Sequence, residues 1–308
     1  MHYPISSIHP DDDPLDIRMD NVFKAVFTKD TPESTEALSR LVSALIGRDV
    51  TIVSILANEP PVDNVRDRQI RFDINCKAEN GELINVEMSL NPGVFEPIRL
   101  EYYTSRLFGG QDVRGSDSSY KDLKQTYQIT ILANKKFFTD DEHYHAFEYY
   151  DPIRRISLDG KTRIITLELS KVDIIAEKPI DEMTVSERWA VFLEYLTDRN
   201  KRSTINAILE QEGGIAMANQ VLMTISRDEH ERARLESEFK YQMDMQSQLV
   251  TARREGKLEG KIEGKLEGKI EGKLEGKLEG KLERDKEILE LLNQGLSLEE
   301  IKQRLVKN

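Results

Sequence analysis

The sequence predicts an α/β protein that gives way to helices and ends in a charged repeat. Up to about residue 180, stretches with apolar residues at every second position alternate with stretches that space them three and four apart. Those are the periods of half-buried strands and amphipathic helices. From about Glu182 only the helical period persists. Residues 255–283 then repeat Gly-Lys-(Leu/Ile)-Glu, with glycines at 256, 260, 264, 268, 272, 276 and 280. The expected division is 15–180 for the α/β domain, 181–254 for a helical region, 255–283 for the repeat and 284–308 for a closing pair of helices.

In chain order, residues 1–17 are polar, with HPDDDP in the middle, and read as a lead. Asp20 is placed to cap a helix whose apolar stripe is Val22, Phe23, Val26 and Phe27. Thr31-Pro32 opens a second helix and Gly47 stops it. Residues 51–57 form a strand, and 58–68, with two prolines, form a loop. Asn91-Pro92-Gly93 breaks the chain before a helix from Glu96 to Phe108. Strands follow at 125–134, 145–150 and 162–170. Trp189 and Tyr195 lie at helical spacing as core residues, Gly213-Gly214 separates two helices, and a long charged helix runs from about Arg227 to Arg254. At the end, Gly295 closes one helix, and Ser297 with Glu300 makes a capping box for the next.

Residues 71–89, RFDINCKAENGELINVEMS, read as two strands and a tight turn. A three-residue loop of Glu79, Asn80 and Gly81, with Gly81 left-handed, pairs Ala78 with Glu82 and sets Asp73 opposite Glu87. Paired residues share a face. Asp73, Asn75, Asn85 and Glu87 then line one face, and Phe72, Ile74, Cys76, Ile84, Val86 and Met88 the other. A two-residue Asn-Gly loop shifts the register by one and mixes polar with apolar on both faces, which a half-buried hairpin penalises. Two carboxylates on adjacent strands beside a core-forming face suit a hard divalent cation.

Composition narrows the classes. Hydrophobic residues make up 38% of 308 residues, below the usual ~45–50%, largely because of the C-terminal third. The single cysteine, Cys76, excludes an internal disulfide and a multi-cysteine zinc site. His143 and His145 lie one residue apart and could share a strand face, but they are not read as a metal site. No signal peptide or membrane-length apolar run is present, so a cytoplasmic protein without a membrane partner is expected. The net charge of −12 opposes non-specific nucleic-acid binding by the whole molecule, while leaving room for a local basic groove.

As a lone helix the repeat is poor. Each interior glycine costs about 1 kcal/mol relative to alanine. Lysine follows lysine and glutamate follows glutamate at i,i+4, which is repulsive. A four-residue period makes the apolar row drift about 40° per turn-sized step. The stretch is therefore either a disordered spacer or a helix formed only against another copy, giving a homo-oligomer through residues 255–283.

DNVFKAVF (20–27), FDI (72–74), INVEMS (84–89), Arg99 and Tyr102 in one helix, a tyrosine-to-strand segment (120–131), LELSK (167–171) and the repeat tail appear in that order. Together they resemble the Rpn family of recombination-promoting nucleases, described as transposases of the PD-(D/E)XK nuclease superfamily. The resemblance spans about residues 15–283. It implies a restriction-endonuclease-like core, a central mixed sheet flanked by helices, and magnesium-dependent cleavage of DNA phosphodiesters, with manganese or calcium as substitutes. Asp73 matches the first acid of the motif and Glu87 the second; Asp20 and Lys24 match the acidic and basic positions of the family's first helix. One position departs: two residues past the second acid the family usually has glutamine or lysine, and here stands Ser89, which can hydrogen-bond a water but carries no charge.

On that resemblance Asp73, Glu87 and the Met88 carbonyl are the metal ligands. Asp20 supports the metal through water, and Lys24 or Ser89 positions the nucleophile. Arg66, Arg68, Arg71, Arg99 and Lys124 are candidates to hold the DNA backbone. Three functions are open: a Mg²⁺-dependent DNA endonuclease promoting recombination or transposition; a catalytically weakened relative that binds DNA or a partner protein; and a scaffold assembling through its tail.

Overall fold

The computed structural model describes residues 7–59, 71–111, 119–295 and 297–307. In chain order the helices are α1 (Asp20–Thr28), α2 (Pro32–Ile46), α3 (Glu96–Gly109), α4 (Val185–Tyr195), α5 (Arg202–Gln211), α6 (Gly213–Arg227), α7 (Glu229–Asn293) and α8 (Leu298–Lys307). The strands are β1 (Ile52–Ile55), β2 (Ile74–Ala78), β3 (Leu83–Ser89), β4 (Thr126–Leu132), β5 (Tyr144–Phe147), β6 (Tyr150–Asp151), β7 (Ile156–Ser157) and β8 (Thr162–Glu168). A central mixed sheet has the order β1-β2-β3-β4-β8-β5, and β6 and β7 form a separate ribbon. The β1-β2-β3 meander is antiparallel, β3, β4 and β8 are parallel, and β5 returns antiparallel to β8.

Successive strand residues point to opposite faces, and this divides the molecule. Ile74, Cys76, Ile84, Val86 and Met88 share one buried cluster with Val22 and Phe23 of α1, Leu41 of α2, Trp189 of α4 and Leu222 of α6. One core thus continues across residue 181. The other face carries Leu83, which packs with Phe72 and with Tyr103 and Leu107 of α3. The chain forms two compact units, Met1–Lys240 and Tyr241–Asn308.

Several local readings come out differently. Asp20 is the first helical residue rather than the cap; Met19 holds the cap position without a side-chain hydrogen bond. Phe72 lies outside β2, so the alternation does not carry it to the face of Ile74, and it packs edge-on to Tyr103 at 5.7 Å. The strand expected at 145–150 divides, β5 ending at Phe147 and β6 starting at Tyr150. Gly213 and Gly214 open α6, and the break falls on extended Glu212. A side chain at Gly214 would meet the Arg40 side chain at 2.4 Å, so α2 and α6 require that glycine to approach. Thr31 and Gly47 (φ +81°) do cap α2, as their residue types predict.

In the second unit α7 continues through residues 255–283 as helix. Gly295 is left-handed (φ +82°) beyond its end, and the Glu300 carboxylate accepts from both the Ser297 backbone N–H and hydroxyl, at 2.8 and 2.7 Å. No helix among the described residues is long and apolar enough to cross a membrane.

Candidate active site

The site begins with the turn. Ala78 N–H donates to the Glu82 carbonyl at 2.9 Å, Gly81 N–H donates to the Ala78 carbonyl at 2.8 Å, and Gly81 has φ +86°. Asn75 pairs with Asn85 and Ile74 with Val86. Continued by one residue, that register sets Asp73 opposite Glu87.

What surrounds the two acids comes from distant parts of the chain. The Met88 N–H donates to Asp73 Oδ2 at 3.2 Å. Lys24 of α1 reaches between two carboxylates, 2.9 Å from Asp20 Oδ2 and 2.9 Å from Asp73 Oδ1. Glu87 is only 2% exposed. Its Oε1 accepts from Asn85 Nδ2 at 2.9 Å, and Arg99 of α3 stands 3.3 Å from Oε2. Arg99 also pairs with Glu96 in the first turn of α3 and lies over the Tyr103 ring at 5.3 Å.

Burial sets the electrostatics. It pushes the Asp73 carboxyl up to about 6, helped by the charge of Asp20 and opposed by Lys24. It pushes Glu87 up to about 8, helped by the charge of Asp73 and opposed by Arg99 and the Asn85 hydrogen bond. Lys24 is held above its ordinary value, because Asp73 and Asp20 together outweigh its own burial. Removing that ammonium leaves two carboxylates facing each other, so Lys24→Met is expected to move Asp73 further up. In a pH–rate profile the acid limb then shifts to higher pH.

Two sets of residues escaped the sequence reading. Asn85 donates to Gln128 Oε1 at 2.9 Å, and Gln128 donates to the Thr130 hydroxyl at 3.1 Å. The parallel register places Thr130 beside Glu87 and Thr166 beside Thr130, so a buried polar row crosses the sheet on the α3 face. The signal was the polar residues at every second position in Thr126, Gln128 and Thr130, which resemble a solvated face. Glu168 and Lys171, from LELSK, form a buried pair at 2.7 Å at the same edge, since Glu168, Leu132 and Ser89 are in register.

The other expected residues are dispersed. Ser89 ends β3, two residues past Glu87 and on its face. Arg71 is exposed and pairs with Glu59 at 3.5 Å. The Lys124 side chain lies against Gly81, at the turn end of the hairpin, so it is not brought to the acids. Arg66 and Arg68 lie outside the described residues.

The family model for the PD-(D/E)XK nuclease family transposases matches residues 17–252. The chain belongs to this family. No curated protein and no solved structure matches it. The match takes in both acids, α1 and α3, and it ends within the first repeats' approach, before residue 255.

PD-(D/E)XK nucleases generally use divalent metals. Among the described residues no group of three or more histidine, cysteine, aspartate or glutamate side chains is placed to hold one. The donors that the hairpin does offer fit a hard cation in kind: two carboxylates and a backbone carbonyl. Glu87 Oε2 and Asp20 Oδ1 are buried without a hydrogen-bond partner. Both hairpin acids are also held above their ordinary range by burial and like charge, which an added cation relieves.

Proposed function

We propose that this transposase-family chain is a divalent-metal-dependent DNA endonuclease that promotes recombination or transposition. The observation that supports it best is the pairing of Asp73 with Glu87 beside Lys24 and Arg99, within a mixed sheet that reads as a PD-(D/E)XK core. Asp73, Glu87 and the Met88 carbonyl would hold Mg²⁺, with Mn²⁺ or Ca²⁺ as substitutes. When bound, that ion polarises a phosphoryl oxygen and lowers the pKa of its water. Lys24 keeps Asp73 ionised and orients it. Ser89 accepts or donates a hydrogen bond to the attacking water. Arg99 and Arg71 supply positive charge for the DNA backbone, with Arg66 and Arg68 from the adjoining segment, while Lys124 would meet a more distant phosphate. Binding then weakens steeply with salt. Cytoplasmic residence and self-association through residues 255–283 complete the reading.

Plasmid nicking tests it: wild type cleaves with Mg²⁺ or Mn²⁺ and stops with a chelator. A wild-type chain that is inert with both metals, and no different from its Asp73→Ala variant, sinks the enzyme reading.

Ser89 favours a second reading, a relative weakened in catalysis that binds DNA or a partner. A cation at this position stabilises developing charge in a water-poor site. Ser89→Lys is expected to raise single-turnover cleavage by about tenfold or more, equivalent to roughly 1.4 kcal/mol of barrier. An unchanged rate shows that Ser89 does not limit the chain.

A further inference from the structure

The repeat carries more information than a tendency to associate. Within α7 the row from Leu258 to Leu282 is exposed, each side chain at 56–62%. Successive helix residues are turned by 100°. Every apolar residue in the row is preceded by lysine and followed by glutamate. The row is therefore flanked along one side by lysines, Lys257 to Lys281, and along the other by glutamates, Glu259 to Glu283. Glycine falls nearly opposite. Neither charged row finds a countercharge within its own helix, because its i+4 neighbours carry the same sign. Among the described residues the last ion pairs along α7 are Arg232–Glu236 and Arg234–Glu238, both upstream.

Symmetry then decides which partner fits. Place a second helix against the apolar row, parallel to the first and related by a two-fold axis along the pair. The rotation carries the lysine row of one copy to the glutamate row of the other, on both flanks. In an antiparallel pair the two-fold lies across the helices, and lysines meet lysines while glutamates meet glutamates. We infer that residues 255–283 pair two copies of this chain in parallel, each lysine row against the partner copy's glutamate row. The inference rests on the proposed self-association and adds its stoichiometry and direction. A period above 3.6 winds the pair right-handed, the sense in which i±4n ridges pack. Parallel pairing brings the N-terminal ends of the two copies' repeats together.

Cysteine cross-linking of the full-length chain tests this. The native Cys76 is buried, and the unmodified chain serves as the control. Leu258→Cys and Leu282→Cys are prepared separately, one with a size tag. Under mild oxidation each variant is expected to give its own disulfide-linked dimer, and the mixture no product joining 258 to 282. Cross-linking in the mixture alone overturns the parallel arrangement while keeping self-association. A dimeric mass with no cross-link at all places the interface off this row and overturns the inference too. A monomeric mass by sedimentation removes self-association itself, without touching the nuclease reading, which rests on the cleavage assay. A chain with all seven lysines from Lys257 to Lys281 changed to glutamate is expected to lose dimerisation by at least tenfold. It should recover on mixing with a chain in which the seven glutamates from Glu259 to Glu283 are changed to lysine. Dimerisation of the all-glutamate chain at wild-type strength refutes the role of the charged rows.

Discussion

Asp73→Ala and Glu87→Ala are each expected to lower metal-dependent plasmid cleavage by about 10³-fold or more. The acids differ in how they are held. Asp73 sits between Lys24 and the Met88 N–H, so its loss releases a lysine still paired to Asp20. Glu87 is buried beside Arg99, so its loss leaves the guanidinium paired with Glu96 and lying over Tyr103. A metal supplies several kcal/mol of transition-state charge stabilisation, and each 1.36 kcal/mol is a factor of ten in rate. Both variants should keep their folded circular-dichroism signal. The measurement is single-turnover nicking over a range of Mg²⁺ concentrations. If either variant is restored to the wild-type rate by raising Mg²⁺ alone, that side chain serves affinity and not the reaction. If neither differs from wild type at any concentration, the acids are not the site.

The second large effect is on stability. Folded Glu87 keeps its proton up to about pH 8, whereas an ordinary glutamate releases it near 4.5. Between those values the folded state binds more protons than the unfolded state, so unfolding becomes easier as pH rises. Asp73, held at about 6 against 3.8, acts in the same direction over a lower and narrower window. The metal-free chain is therefore expected to melt at progressively lower temperature from about pH 5 to pH 8, and then level off. A divalent cation held by the two acids, as proposed, would oppose this, because it would bind their ionised forms in the folded state. At about 100 times its Kd the added stability is about 2.7 kcal/mol, on the order of 5–10 °C in Tm for a unit of this size. Glu87→Gln should flatten the pH dependence and abolish most of the metal-induced shift. A Tm that rises from pH 5 to 8 without metal contradicts the burial of Glu87 as the governing effect. A shift of equal size in wild type and Glu87→Gln places the cation elsewhere.

These effects trace to the same geometry. A sheet face facing α3 is polar where a core face is ordinarily apolar. Asn75, Asn85, Glu87, Gln128, Thr130 and Thr166 are all buried, and several keep an unpartnered oxygen. Such groups persist only where something offsets their desolvation. Lys24 and Arg99 offset part of it here.

The chain's own order of residues determined the hairpin. Gly81 had to be left-handed, the loop had to have three residues, and the alternation of apolar and polar positions ruled out a slip of one. Those constraints act between neighbours in sequence, so Asp73 opposite Glu87 could be read before any fold was known. The caps of α2 and the charged rows of the repeat are local in the same way. Tertiary structure decided the rest. That Lys24 joins Asp73 and that Arg99 and Glu96 stand beside Glu87 depends on how α1 and α3 lie on the sheet, and that Lys124 stays at the far turn depends on the parallel pairing of β3 with β4. That Gln128 lies beside Asn85, Thr130 beside Glu87 and Glu168 level with Ser89 depends on a parallel strand order with no turn to announce it. Parallel neighbours are joined by long crossovers, and their pairing is chosen by packing across the whole sheet rather than by any residue beside them in sequence. The same burial raised two ordinary-looking acids well above their usual range, and no pattern of alternation carries that.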